Sequence, residues 1–120
     1  MGYMRHHAII VTSWDANRLA TAHAKASELF ARISPIIPSS INGYGYASFF
    51  IPPDGWKEGW AESDNGDSQR NLYVEWLDLQ RYGDGSSWLK WAEVQYGNED
   101  GDNRIVRNEA QLKANPEVKP

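Results

Sequence analysis

A short run of mainly β-branched residues near the start of the chain constrains the fold more than any other feature. Residues 7–13 read His-Ala-Ile-Ile-Val-Thr-Ser, with apolar side chains at both odd and even positions. Because successive side chains of a strand point to opposite faces, this pattern predicts a central strand that is covered on both sides. The second side is expected to be covered either by the rest of the chain or by another subunit.

An alanine-rich amphipathic segment follows this strand. Asp15 is a favourable N-cap residue, and apolar or small side chains recur at three- and four-residue steps from Ala16 to Ile33. The spacing predicts a helix whose small residues allow it to lie close to a sheet. Ser34-Pro35 is expected to end the helix, because the residue before a proline disfavours helical geometry.

The next segment carries the signals of a β-hairpin. Asn42-Gly43 is a strong turn signal, because both residues tolerate a positive φ. Pro38 marks the first arm as an edge or irregular strand, and residues 46–51 are expected to form the second arm.

A second helix is expected over residues 68–82. The turn residues 64–67 precede it, Asp67 is its expected N-cap, and Gly83 lies where a left-handed C-terminal residue is common. Its packed side is expected to carry Leu72, Tyr73, Trp76, Leu77 and Gln80.

Two further strands complete the pattern, at residues 88–96 and near Arg104–Arg107. The resulting order, β-α-β-β-α-β, is typical of a ferredoxin-like two-layer α+β sandwich or a variant of it, here with an extra short C-terminal strand. We expect a single domain over residues 1–107 and a polar, mobile tail over residues 108–120.

Composition narrows the class of protein. Hydrophobic residues make up 41% of the chain and include six Trp, six Tyr and three Phe, which argues against disorder. A net charge of −4 disfavours binding to duplex DNA, and the absence of Cys excludes disulfides and thiolate metal sites. No apolar run approaches the roughly 18 residues of a membrane span, and the polar start is unlike a signal peptide. We therefore expect a cytoplasmic protein that binds neither membranes nor duplex DNA.

Catalytic and metal-binding motifs give no positive signal. His6 and His7 are adjacent in the first strand, so their side chains point to opposite faces and cannot chelate one metal together. His23 falls on the packed side of the first helix and is expected to be hydrogen-bonded. Nucleophile elbows, P-loops and dinucleotide-binding loops are absent from the sequence. No catalytic residue, metal or cofactor is expected, although an enzyme is not excluded.

Aromatic residues on predicted loops are the most informative functional feature. Tyr44, Trp56 and Trp60 lie in segments rich in Gly and Pro, close to charged residues. Aromatic faces beside a cation suit stacking on a base and binding of a phosphate. The candidate ligand-binding residues are Asn42, Tyr44, Asp54, Trp56, Lys57, Trp60 and Arg70. Two other interpretations remain open: the indoles pack back onto the core, or they form a protein interface.

Several segments together resemble a known family of small phage proteins. The most specific segment is Ser48-Phe49-Phe50-Ile51-Pro52-Pro53-Asp54-Gly55, supported by Arg5–Ser13, Ser34-Pro35-Ile36, Asn42-Gly43-Tyr44, Lys57-Glu58-Gly59-Trp60 and Asp84–Ser87. They are similar to the uncharacterised thirty-point-three product family of T-even-type phages. Trp56 stands where that family is expected to have a small polar residue, and Gly45-Tyr46-Ala47 makes a longer join. The resemblance implies a phage-encoded protein that acts in the cytoplasm of the infected host, and it supplies no catalytic residues.

Three functions are compatible with these observations. The leading hypothesis is a non-enzymatic binding protein that counters bacterial defence by sequestering a small nucleotide-type signal. The alternatives are a protein–protein inhibitor or modulator of a host enzyme, and a nucleotide hydrolase. A homodimer or higher homo-oligomer is also expected, because the first strand is apolar on both sides.

Overall fold

Arg5–Ser13 forms β1, the central strand of a five-stranded antiparallel sheet in the computed structural model. The structure describes residues 5–39, 45–54, 61–97 and 103–110. The strand order is β2-β3-β1-β4-β5, with β2 at Ile37–Pro38, β3 at Ala47–Ile51, β4 at Lys90–Gly97 and β5 at Arg104–Asn108. Together with two helices this sheet makes an α+β fold, and the predicted central position of the first strand is confirmed.

The first helix, α1, spans Ala16–Leu29 and begins where the sequence predicts. The Asp15 side chain accepts hydrogen bonds from the backbone N–H groups of Asn17 and Arg18, so it is the N-cap. The helix ends four residues before Ile33, because Phe30 adopts an extended conformation with φ −123° and ψ 136°. The chain beyond it instead bonds to β3.

Contacts between that segment and β3 explain the early end of α1. The Ser34 N–H donates to the Phe50 carbonyl at 2.9 Å, and the Phe50 N–H donates to Ser34 Oγ at 2.8 Å. His23 Nε2 lies 2.9 Å from the Ser34 carbonyl, and its ring meets Phe49 edge to face. The prediction of a hydrogen-bonded His23 is therefore confirmed.

The second helix, α2, is longer at its start than the sequence predicts and ends earlier. It spans Ala61–Asp78, so residues 64–67 are helical and Asp67 is not an N-cap. Leu72 is 56% exposed, whereas the sequence predicts it on the packed side. After the helix, the left-handed residue is Gly85, with φ +90°, rather than Gly83. The predicted boundary was wrong because Asn65-Gly66 is a turn signal that tertiary contacts override.

The core lies between the two helices and one face of the sheet. Odd-numbered residues of β1, β3 and β4 face it, because their register places Val11 opposite both Phe49 and Trp91. The buried cluster comprises Ile9, Val11, Leu19, Ala22, Ala26, Phe49, Ile51, Tyr73, Val74, Leu77, Leu89 and Trp91. Large rings supply part of this core, as the composition predicts.

A buried tyrosine connects the two helices. The hydroxyl of Tyr73 on α2 donates to the Ala22 carbonyl on α1 at 2.7 Å. Burial raises the pKa of Tyr73 well above its usual range, so the hydroxyl stays protonated as a donor. This bond satisfies a polar group that would otherwise be costly inside the core.

The predicted hairpin is present as a strand pair. Ile37 of β2 lies opposite Ser48 of β3, and the Ser39 N–H donates to the Tyr46 carbonyl at 2.9 Å. β2 is an edge strand, as Pro38 predicts. The Asn42-Gly43 turn itself lies outside the described residues. Neither described helix is long and apolar enough to cross a membrane.

Candidate functional site

The structure describes two of the seven candidate ligand-binding residues, and it brings them together. Asp54 follows β3, Arg70 lies on α2, and Asp54 Oδ2 is 3.1 Å from Arg70 Nη1. The other candidates lie outside the described residues: Asn42, Tyr44, Trp56, Lys57 and Trp60.

Arg70 is buried among carboxylates. Its side chain is 6% exposed, its Nη2 bonds to Asp67, and its Nε lies 4.0 Å from Glu93 Oε2. Because each nitrogen of the guanidinium faces a carboxylate, Arg70 is suited to hold Asp54 in place. The sequence predicts a direct phosphate contact instead, and the carboxylates around Arg70 limit its capacity for one.

Gly66 allows this close approach of Asp54 to α2. A Cβ atom at Gly66 would lie 2.2 Å from Asp54 Oδ2 and 3.4 Å from Arg70 Nη1. Glycine inside a helix is unfavourable by about 1 kcal/mol relative to alanine. Its presence here is explained by the carboxylate that occupies the space of the missing side chain.

A buried carboxylate, Glu93 on β4, accepts hydrogen bonds from two residues. It is 2% exposed, with His7 Nδ1 3.2 Å from Oε2 and Arg107 Nε 2.7 Å from Oε1. Burial alone would raise the pKa of Glu93, but the hydrogen bond from His7 and the charge of Arg107 outweigh burial and lower it. Glu93 is therefore an ionised side chain at the helix-covered face of the sheet.

Two clefts flank Arg70. The first, the Glu93 cleft, has a volume of about 430 Å³ and is lined by His7, Asp67, Arg70, Asn71, Glu93, Gln95, Val106 and Arg107. The second, the Arg32 cleft, has a volume of about 320 Å³ and is lined by Phe30, Ala31, Arg32, Pro52, Pro53, Asp54, Gly66, Gln69 and Arg70.

The two clefts differ in whether their arginines are free of carboxylate partners and so able to bind an anion. In the Glu93 cleft, the guanidinium groups of Arg70 and Arg107 are both paired with carboxylates. In the Arg32 cleft, Arg32 is exposed, and no ion pair to it is found among the described residues. A cation without a carboxylate partner keeps its donors for an anionic ligand. Of the two clefts, the Arg32 cleft therefore has the more available cation, although the Asp54 carboxylate, paired with Arg70, also lines it.

The walls of the Arg32 cleft combine apolar and hydrogen-bonding groups. The half-buried Phe30 ring and Pro52-Pro53 form an apolar wall, and the exposed Gln69 supplies an amide from α2. The Phe30 ring is held edge to face against Tyr73 at a centroid distance of 5.8 Å. This arrangement can hold a flat ring against one wall and an anion beside Arg32.

Sequence reasoning missed Phe30, Arg32 and Gln69 as site residues. Phe30 carried a core signal, and nothing local in the sequence connects Arg32 with Gln69, since the two lie on different elements. Only the packing of the segment after α1 against α2 brings them to one cleft.

Metal binding has no visible basis in the part of the chain that the structure describes, because no three His, Asp or Glu side chains there are grouped to hold an ion. The chain matches no protein-family model, and no curated protein or solved structure is found to be similar to it.

Proposed function

We propose that this chain is a non-catalytic binding protein for a small nucleotide-type molecule, held in the Arg32 cleft. The observation that carries the proposal is the exposed Arg32 guanidinium beside the apolar wall of Phe30 and Pro52-Pro53. A nucleotide needs both features, since its phosphate requires a cation and its base requires an apolar face.

The size of the cleft supports a ligand of this class. Its volume of about 320 Å³ is at the lower end of the range for small-molecule sites, roughly 300–1,000 Å³. A mononucleotide, or one unit of a larger signal, suits that volume. Gln69 is placed to hydrogen-bond the base or sugar.

The anchoring of Asp54 supports a role for the residues that follow it. Asp54 is held by Arg70 and immediately precedes the segment that carries Trp56, Lys57 and Trp60. We propose that these three side chains, which lie outside the described residues, add stacking faces and a further cation to the ligand. Asn42 and Tyr44 remain predicted contributors on the same grounds.

The biological setting is part of the proposal and depends on the resemblance to the phage family. In that setting the protein sequesters a nucleotide-type signal of the infected host and thereby counters bacterial defence. The order of strands and helices supports a ferredoxin-like variant in which β5 extends the sheet beyond β4.

Isothermal titration calorimetry against cyclic nucleotides and ADP-ribose derivatives tests the proposal. We expect one ligand class to bind, and Arg32→Gln to weaken it about tenfold or more through loss of a charge-assisted contact. Arg104→Gln, an exposed arginine on β5, is the matched control and should bind as the wild type does.

Three outcomes separate the alternatives. Absence of heat with every ligand overturns the proposal. Chemical conversion of a bound nucleotide, seen by product analysis, indicates a hydrolase. A host protein that is captured by the wild type but not by Trp60→Ala, in the absence of nucleotide binding, favours the inhibitor.

A further inference from the structure

The outer face of the sheet, the one turned away from both helices, is exposed and apolar at its centre. Ile10 of β1 lies between Phe50 of β3 and Ala92 of β4. Exposure is 42% for Ile10, 37% for Phe50, 40% for Tyr96 and 55% for Ile105. Such a cluster is unusual for a solvated face, which normally carries polar side chains.

Charge is sparse on the described part of this face. Among the described strand positions that alternate onto it, Lys90 is the one Lys, Arg, Asp or Glu, and it lies at the start of β4. Charged residues nevertheless make up 23% of the chain. Depletion of charge and enrichment of apolar side chains characterise the centre of protein interfaces.

The shape of the outer face allows two copies of it to fit together. On one side of Ile10 the Phe50 ring is exposed. On the other side lies a shallow depression of about 310 Å³ between β1 and β5, with Ile10 and Ala92 in its lining and Lys90 and Glu109 also bordering it. The face therefore carries both a projecting ring and a depression large enough to receive one.

We propose that a second copy of this chain covers the outer face, in a symmetric dimer whose two-fold axis runs along β1. Rotation about such an axis exchanges the β3 side with the β4 side, so Phe50 of each copy faces the depression at Ala92 of the other. Contacts of this kind are isologous and close after two subunits.

The size of the face matches the proposed occupant. Five strands about 4.8 Å apart give a face roughly 20 Å wide, about 25 Å long at the eight-pair β1–β4 ladder and shorter at β3 and β5, which have five residues each. Stable dimers bury about 800 Å² of accessible surface on each partner, which a side-chain-covered footprint of this size can supply. The small number of charges, with Lys90 and Glu109 of opposite sign beside the depression, also limits like-charge repulsion between two identical faces, although the chain is acidic overall.

Sedimentation equilibrium of the full chain tests the proposal, with wild type expected at twice the chain mass of 13.6 kDa. Ile10→Lys should sediment as a monomer, because it places two charges at the centre of the interface. Leu72→Lys, at a side chain 56% exposed on α2, is the matched control and should remain dimeric.

Two milder variants keep the test independent of folding defects. Phe50→Ala should raise the dimer dissociation constant about tenfold or more, as expected for a buried aromatic contact. Ala92→Phe should do so by filling the depression, and circular dichroism should show that both variants are folded. A wild-type chain at 13.6 kDa up to high micromolar concentration overturns the proposal. So does an Ile10→Lys variant that stays dimeric, or a Leu72→Lys variant that dissociates equally.

Discussion

On the helix-covered face of the sheet Glu93 is 2% exposed and ionised beside two arginines, whereas on the outer face Ile10 is 42% exposed. The usual distribution, apolar inside and charged outside, is thus locally reversed on both faces. Within the helix-covered face, the charged and apolar side chains lie at different positions along the strands. The charged group surrounds Glu93 beside His7, whereas the apolar core includes Val11 and Trp91.

Buried charges stabilise a fold only when each has a partner, because removal from water costs several kcal/mol per ion. Arg70 and Glu93 meet this condition through Asp54, Asp67, His7 and Arg107. Apolar side chains of similar volume can often replace a buried network of ion pairs without loss of stability. Its presence beside two clefts favours a role in positioning, in which Arg70 fixes the end of β3 that leads to the predicted aromatic site.

The sharpest test of the two faces compares adjacent rings. Phe49→Ala should lower the free energy of unfolding by about 3–5 kcal/mol, because this side chain is 1% exposed in the core. Phe50→Ala, at 37% exposure, should cost about 1 kcal/mol or less in the monomer. Urea denaturation at low protein concentration measures both. Equal losses would contradict the assignment of the faces.

Removal of the central cation is the next largest expected effect. Arg70→Ala should destabilise the fold by about 3 kcal/mol, since it removes a buried guanidinium that is paired with Asp54, Asp67 and Glu93. The exposed pair Lys25–Glu28 on α1 is the control, and Lys25→Ala should cost less than about 1 kcal/mol. If both variants unfold at the same urea concentration, the network does not carry the stability assigned to it.

Gly66 allows a smaller and more local test. Gly66→Ala should cost about 1–3 kcal/mol despite the better helix propensity of alanine, because its Cβ would lie 2.2 Å from Asp54 Oδ2. Gly83→Ala is the matched control, since nothing lies within 4 Å of a Cβ there. A stabilised Gly66→Ala variant would show that Arg70 does not hold the Asp54 carboxylate in this position.

The sequence predicted the parts of the fold that depend on local pattern. β1 was assigned a central position from its two apolar sides, and Asp15 was assigned as an N-cap from its place before the alanine stripe. The sequence does not determine which of the adjacent rings Phe49 and Phe50 enters the core, because that depends on the register with Val11. The predicted start of α2 was wrong because Asn65-Gly66, a turn signal in the sequence, lies inside the helix, where Gly66 packs against Asp54.

The candidate site shows the same division. Asp54 and Arg70 were both named from the sequence, and the structure joins them, although with more carboxylates around Arg70 than its predicted role implies. Arg32 was missed because its position in a cleft depends on how the chain after α1 packs against α2. Glu93 was missed because a charged residue inside a strand of mixed alternation is ordinarily assigned to the solvated side.

The pH dependence of stability gives the finest comparison between the two faces. The pKa of Glu93 is lower in the folded chain than its ordinary value of 4.5, so the unfolded chain binds more protons at and below that pH. The contribution of Glu93 is therefore fully present above about pH 4.5 and is lost as the pH falls towards its folded-state value. The free energy of unfolding, measured by urea denaturation at several pH values from neutral down to that acidic range, should fall less steeply with pH for Glu93→Gln than for wild type. Glu75→Gln, on the exposed side of α2, should keep the wild-type slope. An unchanged slope in Glu93→Gln would mean that folding does not lower the pKa of Glu93, and the contrast with the charge-poor outer face would lose its electrostatic basis.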